Sequence, residues 1–581
     1  MTETGNIPPS TAAECLKRYW GYESFRPSQE EIINSVLEGR DTLAILPTGG
    51  GKSVCFQVPA LMMEGICIVV SPLIALMKDQ VLNLRARRIK ALAVYSGMTR
   101  GDIDVTLDNA AYGDYKFLYV SPERLKTSLF QARLQKMKVS LLVVDEAHCI
   151  SQWGFDFRPD YRDIAEIRRL LPKGTPCVAL TATATPEVAE DIMTQLAFPE
   201  PNLIRASFER PNLSYIFRQA EDKMGQLLKV CAGTPGSGIV YVGKRKSAED
   251  LARFLRSQEI GAEAYHAGMT PAARNLIQDR WKSGETRIIV STNAFGMGID
   301  KADVRLVCHY DMPDSLEAYF QEAGRAGRDG QKAYAVLLWN PHDIKRLHQI
   351  TKVTFPPLDY IRDIYQKVFQ YYGIPYEGGA GESHKFDLEE FAKRYKFHSA
   401  TAWYAVKYIE QSGYWSLSDE IDIPSKLGIT VSRDALYKVQ VDDADMDSLL
   451  RVVMRMYPGI FSGMMSIDEE RIARVGHYAV DVVKERLKTL AKRQIVSYIP
   501  RFTATLITFG GERLTEDNLR LPQAEYDERL ERRERRLDAI IDLVEDDSSC
   551  RVERMLRYFG QETASPCGTC DVCRSKKSLS L

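Results

Sequence analysis

The chain has 581 residues, of which 45% are apolar and 27% charged, a composition typical of ordinary globular proteins. A chain of this length is too long for a single hydrophobic core, so we expect about three or four domains. The 77 Lys and Arg residues nearly balance the 78 Asp and Glu residues, and the formal net charge is −1. This balance excludes a globally basic coat, so any contact with nucleic acid must depend on local clusters of basic residues.

The N-terminal segment MTETGNIPPSTAAECLKRYWGY carries no targeting pattern. It has no basic start followed by an apolar run and no cleavage-site pattern, and no stretch of the chain reaches ~18 consecutive apolar residues. We therefore expect no membrane association and a cytoplasmic location, at the nucleoid if the source is bacterial.

Between residue 41 and about residue 340, short apolar runs rich in β-branched residues alternate with amphipathic segments of helix length. This alternation predicts α/β domains built on parallel sheets. The runs fall into two sets, separated within ASFERPNLSYIFR at residues 206–218. The sequence therefore predicts two tandem α/β domains.

Beyond about residue 345 the segments are mostly helical, and two stretches look alike: DLEEFAKRYKFHSATAWYAVKYIEQSGYWSL and DEERIARVGHYAVDVVKERLKTLAKRQIVSYIPR. Each reads as a helix, a short turn, a longer amphipathic helix and a β-prone pair, which is the pattern of a winged helix. Small helical bundles with no binding function give the same pattern. Tyr414 and Trp415 are candidates for a strand-separating wing, with a buried aromatic pair as the alternative.

The segment LPTGGGKS, residues 46–53, follows the run TLAIL and precedes a helical segment. Glycines in such a loop let backbone N–H groups turn toward phosphate oxygens at a helix N-terminus. Lys52 supplies a charge to the β and γ phosphates, and Ser53 can ligate magnesium. Leu46 stands where the strict motif has glycine, but the Gly-Lys-Ser core and its context still predict a nucleotide site.

The segment LLVVDEAH places Asp145 and Glu146 at the C-terminal end of an apolar strand, where open α/β sheets bind their ligands. Asp145 would hold magnesium, and Glu146 would position and deprotonate an attacking water. The pair predicts nucleotide hydrolysis.

The segment YFQEAGRAGRDG, residues 319–330, puts Gln321, Arg325 and Arg328 at helical spacing. Arginines from a second domain can stabilise the charge on a transferring phosphoryl group. Surface salt bridges are the alternative for such a pattern.

Together these motifs resemble the superfamily 2 helicases, and among them the RecQ family, over about residues 15–345 and 530–575. The segments YWGYESFRPSQEEII, SPLIALMKDQ, YVSPERL, ALTATAT, GIVYVGKR, YHAGM and STNAFGMGIDKADVR occur in family order. The resemblance implies that Thr181 and Thr183 join hydrolysis to domain movement. It also implies that Tyr22, Arg26 and Gln29 contact the adenine. The residues that we expect to bind the nucleotide are Tyr22, Arg26, Gln29, Thr48, Gly49, Gly50, Gly51, Lys52 and Ser53.

The resemblance implies two RecA-like domains that use ATP and magnesium to move 3′ to 5′ along single-stranded DNA and unwind duplexes, in repair, recombination or replication. The partners would be single-stranded and partly duplex DNA. Two alternatives remain: an ATP-gated DNA clamp or scaffold that separates no strands, and a helicase directed to RNA.

The segment SQWGFDFRPD begins three residues after His148 and resembles the aromatic-rich loop of the family. Exposed rings at Trp153, Phe155 and Phe157 would stack on bases, and Arg158 would meet a phosphate or a base face. We expect this loop to report bound DNA to the hydrolytic site. Packing of the three rings between domains is the alternative.

Four of the 11 cysteines lie close to the C-terminus: Cys550, then Cys567, Cys570 and Cys573. This spacing suits one tetrahedral zinc, with an iron–sulfur cluster as the rival. It also resembles the zinc-binding region of the RecQ family, although here about 185 residues separate that region from the motor. Four protein ligands leave no open position, so the role would be structural.

We therefore expect four parts: a first RecA-like domain over residues 1–208, a second over 209–345, a helix-rich insert over 346–525 and a zinc-binding domain over 526–581.

Overall fold

The computed structural model describes residues 10–151, 158–296, 301–418, 421–423, 425–431, 444–461, 463–500, 502–562 and 565–579. The chain forms two compact units. The first contains Met1–His348 and Glu531–Leu581, and the second contains Gln349–Leu530.

A seven-stranded parallel sheet forms the core of the first lobe, which we define as residues 10–205. Its order is β3-β4-β2-β5-β6-β1-β7. The strands are β1 (Thr42–Ile45), β2 (Ile66–Val70), β3 (Ala91–Val94), β4 (Phe117–Val120), β5 (Val139–Val144), β6 (Cys177–Thr181) and β7 (Leu203–Arg205). The helices are α1 (Ala12–Trp20), α2 (Gln29–Leu37), α3 (Lys52–Met62), α4 (Ile74–Ala86), α5 (Arg100–Tyr112), α6 (Ser128–Leu134), α7 (Asp163–Arg169) and α8 (Pro186–Gln195).

A six-stranded parallel sheet of order β10-β11-β9-β12-β13-β8 forms the second lobe, residues 213–348. Its strands are β8 (Leu213–Gln219), β9 (Ser237–Tyr241), β10 (Ala262–Tyr265), β11 (Ile288–Ser291), β12 (Val304–His309) and β13 (Ala333–Trp339). The helices are α9 (Lys223–Gly233), α10 (Arg245–Ser257), α11 (Pro271–Ser283), α12 (Leu316–Ala323) and α13 (Pro341–Thr354). Central strands such as β5 are buried along their whole length, which is why they read as continuous apolar runs. The predicted pair of parallel α/β domains is confirmed.

The second unit contains helices and short antiparallel strands. Its helices are α14 (Leu358–Tyr371), α15 (Leu388–Tyr395), α16 (Ser399–Gln411), α17 (Ala444–Met456), α18 (Glu469–Gly476) and α19 (Val480–Lys492). Its strands are β14 (Ser383–Phe386), β15 (Trp415–Leu417), β16 (Ile421–Ile423), β17 (Lys426–Ile429), β18 (Met465–Ser466), β19 (Val496–Ile499) and β20 (Phe502–Phe509).

The second unit contains a structural repeat. The elements α15, α16 and β15 recur 81 residues later as α18, α19 and β19, so that Leu388 corresponds to Glu469 and Ser399 to Val480. In both copies an Asp side chain caps the first helix, and the residue after that helix has a left-handed backbone. The sequence prediction of two similar helix-turn-helix segments is confirmed.

The two copies are nested. Strands β14, β20 and β15 form one sheet, whereas β18, β17 and β19 form another. Because β20 follows β19 in the chain but pairs with β14 and β15, the second copy is inserted between two strands of the first. We call the first copy, with β14, β15 and β20, the outer module and the second, with β17, β18 and β19, the inner module.

Trp415 lies in the core of the outer module. It is 2% exposed, its Nε1 donates to the carbonyl oxygen of Val406 at 3.0 Å, and its ring stacks on Tyr365. The hydroxyl of Tyr414 donates to the carbonyl oxygen of Arg520 at 2.7 Å. The structure therefore supports the buried alternative for Trp415, whereas Tyr414 is only half-buried.

Beyond the second unit's strands, the described residues contain the helices α20 (Gln523–Glu545), α21 (Arg551–Tyr558) and α22 (Asp571–Leu579). From Glu531 onward they belong to the first unit. The unit boundaries thus lie a few residues beyond the expected ends at 345 and 525. Among the helices that the structure describes, none is long and apolar enough to cross a membrane.

Candidate nucleotide site and zinc cluster

The phosphate loop, residues 46–53, connects β1 to the N-terminus of α3. Gly49 and Gly51 have φ angles of 81° and 80°, a left-handed conformation that favours glycine. Lys52 is the first residue of α3, so the loop delivers its side chain and the free N–H groups of the helix to the same place.

Two of the residues expected at the adenine also support this loop. The guanidinium of Arg26 donates to the carbonyl oxygen of Gly49, and the amide of Gln29 donates to those of Gly50 and Gly51 at 3.2 and 3.1 Å. A Cβ added to Gly51 would lie 2.3 Å from Gln29 Nε2, so a larger residue there would displace the Gln29 side chain from the loop.

The loop opens into a cavity of about 970 Å³ between the two lobes. The first lobe contributes Tyr22, Arg26, Gln29, Thr48, Gly49, Gly51, Lys52, Ser53, Asp145 and Glu146 to its lining. The second lobe contributes Lys282, Ala302, Gln321, Arg325 and Arg328. Most of the residues predicted to bind or hydrolyse a nucleotide therefore face one cleft.

The acidic pair lies at the C-terminal end of β5. Lys52 Nζ is 3.3 Å from Glu146 Oε1, and Ser71 Oγ donates to Asp145 Oδ2 at 3.5 Å. Burial and the neighbouring Glu146 carboxylate raise the pKa of Asp145. Burial would also raise the pKa of Glu146, but Lys52 and His148 outweigh it and lower that pKa. The two carboxyl groups thus differ in proton affinity, with Glu146 held as the anion.

His148 links the acidic pair to the next strand, a connection that sequence reasoning missed. Its Nδ1 lies 2.9 Å from Thr181 Oγ1 and 3.5 Å from Glu146 Oε2. Thr181 Oγ1 accepts from the backbone N–H of Thr183 at 3.2 Å. The signal was present in the segment LLVVDEAH, because His148 follows the acids by two residues.

The arginine loop, residues 324–330, follows α12 and forms the opposite wall of the cleft. Arg325 is 4% exposed, and its positive charge contributes to the lowered pKa of Glu146. A Cβ added to Gly49 would lie 3.0 Å from Arg328 Cγ, so this arginine packs against the phosphate loop. The second-lobe arginines therefore face the acidic pair and the phosphate loop across the cleft.

The aromatic residues Trp153, Phe155 and Phe157 lie outside the described residues. Arg158 donates from Nη1 to the carbonyl oxygen of Pro72 at 3.2 Å, which places it beside the segment SPLIALMKDQ. Its role toward DNA stays a prediction.

The four C-terminal cysteines form a compact cluster. Their Sγ atoms all lie within 4.8 Å of one another, which suits a single tetrahedral ion. Cys550 directly precedes α21, and backbone N–H groups of Cys567, Cys570 and Cys573 donate to cluster sulfurs at 3.3 to 3.4 Å. Such bonds stabilise the thiolate form that a metal requires.

Comparison with family models gives four matches in chain order. These are the DEAD/DEAH box helicase at residues 26–192, the helicase conserved C-terminal domain at 221–330, the RecQ helicase winged-helix domain of Bacteroidota at 427–500 and the RecQ zinc-binding model at 512–574. The third match covers the inner module, and the fourth identifies the cysteine cluster as a zinc site.

The chain is also similar to curated proteins. It is 44% identical over 341 residues to the ATP-dependent DNA helicase RecQ of Pasteurella multocida, covering 58% of this chain and 54% of the relative. It is 41% identical over 356 residues to the probable ATP-dependent DNA helicase RecS of Bacillus subtilis, covering 60% and 71%. The chain thus spans little more than half the length of the RecQ relatives that it matches.

Among solved structures, the DUF1998 helicase MrfA bound to DNA has a TM-score of 0.50 at 16% identity, over 59% of this chain and 51% of that one. This likeness supports the fold alone. The ordered family models and the coverage of the Bacillus subtilis relative show that the chain belongs to the RecQ family of superfamily 2 helicases.

Proposed function

We propose that this chain is an ATP-dependent DNA helicase that couples hydrolysis of magnesium-bound ATP to 3′ to 5′ movement along single-stranded DNA and to duplex unwinding. The observation that carries the proposal is the cleft in which Lys52, Glu146 and Arg325 face one another across two lobes. The printed names of the relatives, which are DNA helicases, favour DNA over RNA.

In this proposal Lys52 binds the β and γ phosphates, and Glu146 accepts a proton from the attacking water. Ser53 and Asp145 would hold magnesium, which would neutralise charge on the phosphates. Gln321, Arg325 and Arg328 stabilise the charge that develops in the transition state. Closing and reopening of the lobes would convert the cycle into steps along the strand. We place this activity in the cytoplasm, at the nucleoid if the source is bacterial, in DNA repair, recombination or replication.

The inner module offers a surface for the duplex. Lys484, Lys488 and Lys492 are exposed at four-residue intervals along α19, so they form one basic stripe. The corresponding residues of α16 are Trp403, Lys407 and Gln411, which carry a single charge. Phosphate contacts are therefore expected at the inner module and not at the outer one.

ATPase assays with single-stranded DNA or RNA, together with unwinding of duplexes carrying a 3′ or a 5′ overhang, test the proposal. We expect stimulation by DNA and unwinding of the 3′-overhang duplex. Stimulation by RNA alone would replace the DNA assignment, and stimulated hydrolysis without unwinding would favour an ATP-gated clamp.

The lysine stripe is tested by replacing Lys484, Lys488 and Lys492 with Gln and measuring duplex affinity across salt concentrations. We expect weaker binding and a salt slope smaller by about 2 to 3, because each lost phosphate contact removes about one unit. Gln at the exposed Lys17, Lys90 and Lys138 removes the same charge elsewhere and should leave the slope unchanged. An equal loss in both triple variants would refute the assignment.

A further inference from the structure

The linker between the lobes, residues 206–212, contacts the arginine loop through Arg210. The guanidinium donates to the carbonyl oxygens of Gly324, Ala326 and Gly327 at 3.4, 2.9 and 2.7 Å. The planar fork of an arginine can reach several carbonyl groups at once, which a lysine ammonium does with less geometric control. One linker side chain thus fixes three of the seven peptide groups in the loop.

Asn212 continues this contact. Its side-chain amide donates to the carbonyl oxygens of Gly327 and Gln331 at 2.8 and 2.9 Å. Gly327 has a left-handed φ of 63°, and a Cβ there would lie 2.5 Å from Asn212 Nδ2. The left-handed backbone therefore favours glycine at position 327, and the Asn212 side chain lies directly against it.

The linker is itself anchored by the zinc region, residues 531–579. Phe208 packs between Phe320 of α12 and Phe559, with ring centroids 5.3 and 5.4 Å away. The backbone N–H of Phe208 donates to Gln561 Oε1 at 3.0 Å. These contacts hold the linker at the base of α12, immediately before the arginine loop.

The anchored carbonyls alternate with the two arginines of the loop. The carbonyl groups of residues 324, 326 and 327 flank Arg325 and precede Arg328. Their positions therefore fix the backbone from which both arginine side chains extend. A group that stabilises a transition state is effective only when it is held in place beforehand.

We propose that Arg210 and Asn212 are positioning residues for ATP hydrolysis, which hold the arginine loop so that Arg325 and Arg328 reach the transferring phosphoryl group. This inference rests on the proposed function. Neither residue touches the nucleotide in this scheme, so substrate binding should not depend on them.

The test uses Arg210→Lys and Asn212→Asp in the full chain. Both should lower kcat for ATP by about tenfold to a hundredfold, since small misplacements of catalytic groups cost rates of this order, with KM within about twofold. Affinity for ADP should be unchanged, whereas affinity for ADP with aluminium fluoride, a transition-state mimic, should fall by about the same factor as kcat.

The chain offers matched controls. Arg287 also donates to several backbone carbonyls of the second lobe, those of Cys231, Thr234 and Gly236, but away from the cleft. The side-chain amide of Asn202 donates to the carbonyl oxygen of Asp41 and to the hydroxyl groups of Ser35 and Thr42, at the edge of the first sheet. Arg287→Lys and Asn202→Asp should leave kcat and the affinity for the mimic within about twofold of the wild type.

Wild-type protein that hydrolyses no ATP would refute the proposed function itself. If the wild type is active, the inference is overturned when kcat in both linker variants stays within twofold of the wild type. It is also overturned when ADP affinity in these variants falls by the same factor as kcat and Tm falls as well. A loss confined to kcat and the mimic supports it.

Discussion

The two walls of the nucleotide cleft are held in different ways. The phosphate loop is supported within its own lobe by Arg26 and Gln29, which precede the glycines that they contact by 21 to 23 residues. The arginine loop is held by the linker residues Arg210 and Asn212, more than a hundred residues earlier in the chain. In the proposed mechanism, nucleotide binding therefore depends on local structure, whereas the hydrolytic rate is open to control from the linker and the zinc region.

The largest effect is expected at the first wall. Lys52→Ala removes the ammonium that faces the phosphates and the partner of Glu146, so ATP hydrolysis should fall to background. Nucleotide affinity should fall as well, because this contact is made in the ground state. Steady-state ATPase and fluorescent-nucleotide titration measure the two effects.

Lys90→Ala is the control for that variant, since Lys90 is an exposed lysine of the same lobe whose recorded ion-pair partner is the exposed Asp114. It should retain wild-type turnover. Unchanged turnover in Lys52→Ala would contradict the assignment of the phosphate site.

The second wall should separate rate from binding. Arg325→Ala should lower kcat by about a hundredfold to a thousandfold, because an arginine that meets the transferring phosphoryl group acts mainly in the transition state. ADP affinity should change little. Arg253→Ala, on the exposed face of α10, is the control, and an equal loss of ADP affinity and kcat in Arg325→Ala would remove the distinction between the walls.

The aromatic segment after His148 should affect coupling more than chemistry. Trp153→Ala should leave basal ATPase largely intact and weaken its stimulation by DNA by about fivefold or more, because one stacking contact is worth ~1–3 kcal/mol. Equal stimulation of the variant and the wild type would defeat this idea.

The first wall was predictable from sequence because its parts are contiguous. A strand, a glycine loop and a lysine follow one another within residues 42–53, and Asp145 directly follows β5 of the same sheet. The sequence predicted a role for Arg325 and Arg328 at the phosphoryl group, but it did not predict which residues hold their loop in place. Arg210 and Asn212 contact peptide carbonyls, which carry no signal of their own in a sequence, so only the folded chain shows the contact.

The second unit shows the same limit. The two helix-turn-helix segments were predictable from their helical periodicity, whereas the nesting was not, because it depends on β20 returning to pair with β14 and β15. Trp415 looked like a candidate wing because an aromatic pair stood beside a turn. The burial of Trp415 follows from two long-range contacts: β15 pairs with β20, and the indole stacks on Tyr365 of α14.

The smallest effect concerns the stability of the first wall. Burial and Glu146 raise the pKa of Asp145 from its ordinary value of 3.8 to about 6. Between these two pH values the folded chain therefore binds more protons than the unfolded chain. The free energy of unfolding should therefore fall as pH rises through this window, and the charged Asp145 should destabilise the nucleotide-free protein at neutral pH. Asp145→Asn removes that charge, so we expect its Tm to exceed that of the wild type by about 2 °C at pH 7.5, with hydrolysis lost.

The difference in Tm should disappear near pH 4, where the wild-type carboxyl group is protonated as well. Thermal unfolding from pH 4 to pH 8 without nucleotide or magnesium measures it, and Asp114→Asn, at an exposed carboxylate of the same lobe, should show no comparable dependence. If Asp145→Asn is no more stable than the wild type at pH 7.5, then Lys52 already compensates the buried charge. The charge of Asp145 would then cost no stability before a nucleotide binds. The two walls would differ only in which residues hold them in place.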